Sequence, residues 1–133
     1  MFRYYAPPAD LHALRHARVA VVADGLVGVR DLLVHVGRGL RFPGYCGGNF
    51  DAFWDCVRDL DAGEREIVIL HKDVPRIPEE DLRTYLELLR DAVLFWKNHP
   101  DEHSLAVWFP VSDRKKVEAV LETIPPVDPL VLE

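Results

Sequence analysis

Three short runs of continuous apolar residues punctuate the chain, and the stretches between them carry apolar residues at spacings of three and four. Val19-Ala20-Val21-Val22 ends at Asp24-Gly25, Ile67-Val68-Ile69-Leu70 stands mid-chain, and Leu105-Ala106-Val107-Trp108-Phe109 is closed by Pro110. Apolar runs of this length, bounded by turn residues, predict strands covered on both faces, as in a parallel sheet. The run at 67–70 is expected to be the most buried.

Helices are predicted over roughly 29–38, 49–60, 78–98 and 113–123. Pro78 suits a first helical position, and Glu79, Glu80 and Asp81 would lie at the positive end of the helix dipole. Leu82, Tyr85, Leu86, Leu89, Val93 and Trp96 then recur along one face, which makes that face core. Strands that alternate with helices predict an α/β fold, a three-stranded parallel sheet with right-handed crossovers packed with helices. Residues 7–17 read as a short extra helix, and the proline-rich tail at 125–133 as a segment that lies over the surface or frays. With 133 residues, 49% hydrophobic and 29% charged, the chain has the size of a single domain, 1–133.

Charge narrows the choice of partner. The net charge is −6, yet residues 1–43 carry six Arg and three Asp, which leaves −9 for the rest. An acidic chain gains nothing from counterion release on a phosphate backbone, so a cationic partner is expected rather than nucleic acid. The two cysteines, Cys46 and Cys56, are too few for a disulfide framework, and neither a signal peptide nor an apolar run of membrane-spanning length is visible. These features assign the cytoplasm as location and predict no membrane contact.

The most informative stretch runs from Phe42 to Leu60. Its Gly-rich loop leads to Asn49, a good N-cap. At about 100° per residue, Phe50, Phe53, Trp54, Val57 and Leu60 fall on one side of the following helix and Asp51, Asp55 and Asp59 on another. Three like charges four residues apart repel by a few tenths of a kcal/mol per pair. Only Asp51 is favoured by the dipole at the helix start, and Arg58 neutralises Asp55 in part. The stripe therefore costs stability, as an anionic binding surface does, although a solvated acidic face is the commoner meaning of such a pattern.

The string P-x-Y-x-G-x-N-x-D-A-x-W-D-C, present from Pro43 to Cys56, resembles the signature loop and second helix of the barstar family of ribonuclease inhibitors. The order of elements agrees over about 17–110, with the two ends of the chain outside it. The resemblance implies an intracellular inhibitor, not an enzyme, that blocks the cationic active site of a basic ribonuclease one to one, with no cofactor and no metal. It assigns partner contacts to Tyr45 and Gly47 in the loop, to Asp51, Trp54 and Asp55 on the helix, and to Asp91 within Leu89-Arg90-Asp91-Ala92. Cys46 and Gly48, also in the contact loop, depart from the family pattern, which has a second tyrosine and an acidic residue there. Those departures imply a different target nuclease and a more mobile loop.

Other readings stand beside this one. A barstar-like fold could serve as a binding module, antitoxin or immunity protein for a partner that is not a ribonuclease. Asp51 with Asp55 could be an acid/base or hard-metal pair, but both lie on a convex helix face rather than across a cleft. Cys56 reads as a buried structural thiol and Cys46 as an exposed one without a neighbouring His. His12 and His16 have the spacing of helical metal ligands, but two ligands do not make a site.

Overall fold

A computed structural model of the chain describes residues 1–44, 46, 48–61 and 63–133. The fold is α/β, with strands β1 (Arg3–Tyr5), β2 (Arg18–Val22), β3 (Glu66–His71) and β4 (Ser104–Pro110). All pair in parallel, in the spatial order β1-β4-β3-β2. The helices are α1 (Val29–Gly39), α2 (Phe50–Val57), α3 (Glu79–Lys97) and α4 (Arg114–Glu122).

Register explains why the three runs read as continuous apolar strings. Ala20, Ile69 and Val107 align across the sheet on the face that joins the main core, and all three are buried. Val21, Leu70 and Trp108 align on the opposite face. There the N-terminal segment supplies cover, since Tyr5, Pro7, Pro8 and Leu11 share a hollow of about 400 Å³ with Val21 and Leu70. Ile67, Val68 and Ile69 are fully buried and Leu70 nearly so, as expected of a central strand. Leu82, Tyr85, Leu86, Leu89 and Trp96 of α3 are buried too, with Val93 at the margin.

Among the described residues four strands rather than three form the sheet. The additional strand, β1, has only three residues and no apolar run to announce it. It is held by side chains: Phe2 packs on Phe109 with ring centroids 5.7 Å apart, and the Tyr5 hydroxyl donates to the His71 carbonyl at 2.6 Å. Its pairing covers the edge of β4.

Three boundaries also differ from the pattern. The helix expected over 7–17 is a single 3₁₀ turn, Leu11–Leu14, so the exposed His12 and His16 do not share a helix face. Pro78 caps α3 from outside, with ψ at 145°. α2 stops at Val57 instead of continuing to 60, with Arg58 as its C-cap. The tail does lie over the surface: Pro129–Leu132 forms a 3₁₀ turn beside α3, where Asn98 Nδ2 donates to the Leu132 carbonyl at 3.2 Å.

The end of α1 aims the chain toward the candidate site. Arg41 N–H donates to the Arg38 carbonyl and Phe42 N–H to the Gly37 carbonyl, the paired bonds of a Schellman stop. Such a stop needs a left-handed residue, and Arg41 takes that place with φ at 59°. Phe42 then packs edge-on against Phe53 of α2, centroids 5.4 Å apart, so the loop departs from a fixed point beside that helix.

Candidate functional site

α2 starts where the sequence says it should. Asn49 adopts extended geometry and its side-chain oxygen accepts from the Ala52 N–H at 2.8 Å. Phe53 and Val57 then fall into the core, and Phe50, Trp54 and Leu60 pack against its margin. Asp51 and Asp55 are exposed on the outer side. Asp59 is exposed as well but lies beyond the helix, its N–H bonded to the Cys56 carbonyl, so the helical stripe has two carboxylates and not three. The helix stops before the third because Arg58 already sits at the C-cap.

Trp54 divides the two carboxylates between different hollows. Asp51 and Trp54 line a groove between α2 and α3 of about 310 Å³, together with Glu87 and Asp91. Asp55 lines a larger cleft of about 840 Å³, with Asp59 and Asp61 facing Arg18 and Arg41. Trp54 itself is half-buried and meets Phe95 edge-on at 6.4 Å.

The carboxylates differ in how far their charge is already answered. Asp55 receives a hydrogen bond from Arg58 Nη2 at 2.9 Å while its side chain stays 73% exposed. Arg58 Cζ lies 4.7 Å from the centre of the Trp54 ring. Asp91 is far less open, with a side chain 16% exposed, and Arg90 donates to its Oδ1 through both Nε (3.1 Å) and Nη2 (3.0 Å). Burial holds the Asp91 carboxyl above its ordinary value, an effect that the neighbouring Arg90 opposes only in part. Asp51 has no ion-pair partner among the described residues.

The loop holds the largest correction to the sequence reading. Cys46 and Cys56 are joined in a disulfide, so Cys46 is not a free loop thiol nor Cys56 a separate buried one. Helical phase brings them together, because Cys56 lies on the inner side of α2 and the Cα atoms are 6.4 Å apart, within bridging range. Gly48 is packed rather than loose: a Cβ there would lie 2.5 Å from Arg30 Cγ and 3.0 Å from the Arg30 carbonyl oxygen. Tyr45 and Gly47 lie outside the described residues. Sequence reasoning overlooked Glu87, although its position one helical turn before Asp91 could have marked it.

α2 thus presents a half-buried aromatic between two exposed carboxylates, beside a loop that the Cys46–Cys56 bridge ties to the helix. The family described as Barstar (barnase inhibitor) matches residues 16–109, and the chain belongs to the barstar family. The family takes its description from inhibition of barnase, a ribonuclease. No curated protein and no solved structure matches the chain. Among the described residues no helix is long and apolar enough to cross a membrane, and no group of three or more potential metal ligands is present.

Proposed function

We propose that this chain is a stoichiometric inhibitor of a basic ribonuclease and blocks the enzyme's cationic active site with α2 and the loop at 43–49. The observation that carries the reading is the placement of Asp51 and Asp55 on either side of Trp54, both carboxylates open to solvent while the indole is anchored on Phe95. An aromatic anchor flanked by charges is the arrangement in which desolvation by a partner makes each contact strong. Tyr45, Cys46, Gly47 and Gly48 would complete the contact from the loop, and Asp91 from α3.

In this reading the acidic surface first attracts a basic cleft over a long range and then replaces the substrate phosphates there. The protein supplies no catalysis and takes up no cofactor, and it acts inside the cell that makes the nuclease. The direct test is to titrate the purified chain into barnase, and into the basic secreted nucleases of its own organism, while following RNA cleavage. Inhibition that saturates at one molecule per enzyme is expected. Undiminished cleavage by every such nuclease at a tenfold excess of the chain would refute the proposal.

A further inference from the structure

Arg58 stands over the centre of the proposed contact. Its guanidinium reaches Asp55 Oδ1 at 2.9 Å through Nη2 and the Trp54 carbonyl at 3.4 Å through Nε, while Cζ lies 4.7 Å from the Trp54 ring centre. One cation of this chain thus touches both the exposed carboxylate and the aromatic that a basic partner would use.

We propose that Arg58 is a specificity-determining residue that holds the place of the partner's cation over Trp54 and Asp55 and must swing aside on binding. This rests on the reading of α2 as the binding face. Three features of the geometry support it. The Arg58 side chain is 35% exposed and makes no hydrogen bond beyond Trp54 and Asp55 among the described residues, so it can leave at small cost. Arg90, which answers Asp91, cannot: it also donates to the Pro125 carbonyl at 2.6 Å and pins the tail. Finally, Arg58 follows the last turn of α2, where the helix dipole favours a cation, so the resting position is stable without a partner.

A partner that offers only a loosely placed ammonium to Asp55 would compete poorly with a guanidinium already in place. One that offers a planar, bidentate guanidinium would displace it. Arg58 therefore filters basic partners by the geometry of their cation and slows the association of all of them.

The test uses the intact chain, Arg58→Ala and Arg58→Gln, with folding checked by denaturation and affinities expressed per folded molecule. With barnase as probe, both variants should bind faster and tighter than wild type, by about threefold or more at low ionic strength. Equal or weaker binding of both would overturn the proposal, since Arg58 would then be neutral or a contact in its own right.

A second arm needs no partner. Methylguanidinium titrated into Arg58→Ala should shift the NMR resonances of the Asp55 carboxylate and the Trp54 indole N–H more strongly than in wild type, where the position is filled. Equal shifts in both proteins would sink the idea. Should barnase bind neither wild type nor variants, the ribonuclease reading is what suffers for that enzyme, and the methylguanidinium arm still decides the role of Arg58.

Discussion

The Tyr85 hydroxyl donates to His71 Nε2 at 2.7 Å in the middle of the core, and both side chains are fully buried. His71 Nδ1 lies 3.0 Å from the Trp108 carbonyl, which can only accept, so Nδ1 carries a proton, and in the neutral ring that burial favours Nε2 is left to accept from Tyr85. The imidazole also stacks on Phe109, centroids 4.0 Å apart. A charge here would meet no counterion among the described residues, and burial lowers the His71 pKa to about 3, partly opposed by the bond to Trp108.

Acid sensitivity follows from that pair. Between about pH 6.5 and 3 the unfolded chain binds a proton at His71 that the folded chain refuses, so this contribution to stability is full above pH 6.5 and is lost as pH falls. By pH 5 the loss from this residue should reach roughly 2 kcal/mol. Urea denaturation of wild type and His71→Phe at pH 7 and pH 5 measures it. The drop between the two pH values should be smaller in the variant by about that amount, and equal drops would show that His71 does not titrate as its burial requires.

The N-terminal strand is expected to contribute to folding and not merely to decorate the sheet edge. Phe2 is buried against Phe109 from a strand only three residues long. Phe2→Ala should destabilise the chain by about 2–4 kcal/mol, near the lower range for core aromatics because the edge can relax. A change under about 0.5 kcal/mol in chemical denaturation would mean that β1 is not docked in solution.

The pattern of the chain disclosed the central strands because β3 is covered on both faces, by the helices and by the N-terminal segment, so every residue of Ile67-Val68-Ile69-Leu70 had to be apolar. It disclosed α3 for the complementary reason that one face alone is buried. β1 was not legible, since its docking depends on Phe2, Tyr4 and Tyr5 meeting residues more than sixty positions away in sequence. The disulfide was hidden in the same way: the cysteine count spoke against it, and only the fold of the loop onto α2 joins Cys46 to Cys56. Within the site, helical phase placed Asp51 and Asp55 on the side of α2 that is exposed, and Trp54, which phase put on the apolar side, is half-buried. It could not show that α2 ends before Asp59, nor that Arg90 already answers Asp91.

Gly48 should resist restoration of the acidic residue that the family pattern has there. Any side chain built on its Cβ runs into the backbone of Arg30 in α1, at 3.0 Å from the carbonyl oxygen and 3.1 Å from Cα. Backbone cannot step aside as a flexible side chain can. Gly48→Glu should therefore cost about 1–3 kcal/mol of stability, measured by denaturation, even though Arg30 offers the new carboxylate an opposite charge. Unchanged stability would place the loop free of α1.

Asp55 and Asp59 share the wall of one cleft, yet they should behave differently toward a partner. Asp55 projects from the middle of α2 beside Trp54, where a body covering both the helix and the loop would exclude water most completely. Removing that carboxylate leaves a partner's cation buried and unpaired, so Asp55→Ala should weaken ribonuclease binding by about 2–5 kcal/mol. That range is the general one for buried charge pairs, for which barstar itself is a standard example, and it does not come from the geometry here. Asp59 lies beyond the end of the helix, and Asp59→Ala should cost under about 1 kcal/mol in the same assay. Folding should barely distinguish the two variants. Losing Asp55 removes an exposed pair with Arg58 but also a repulsion with Asp51, two effects of a few tenths of a kcal/mol that oppose each other. If Asp55→Ala unfolds the chain while binding per folded molecule is unchanged, the helix carboxylates serve the fold, and the inhibitor reading loses its main physical support.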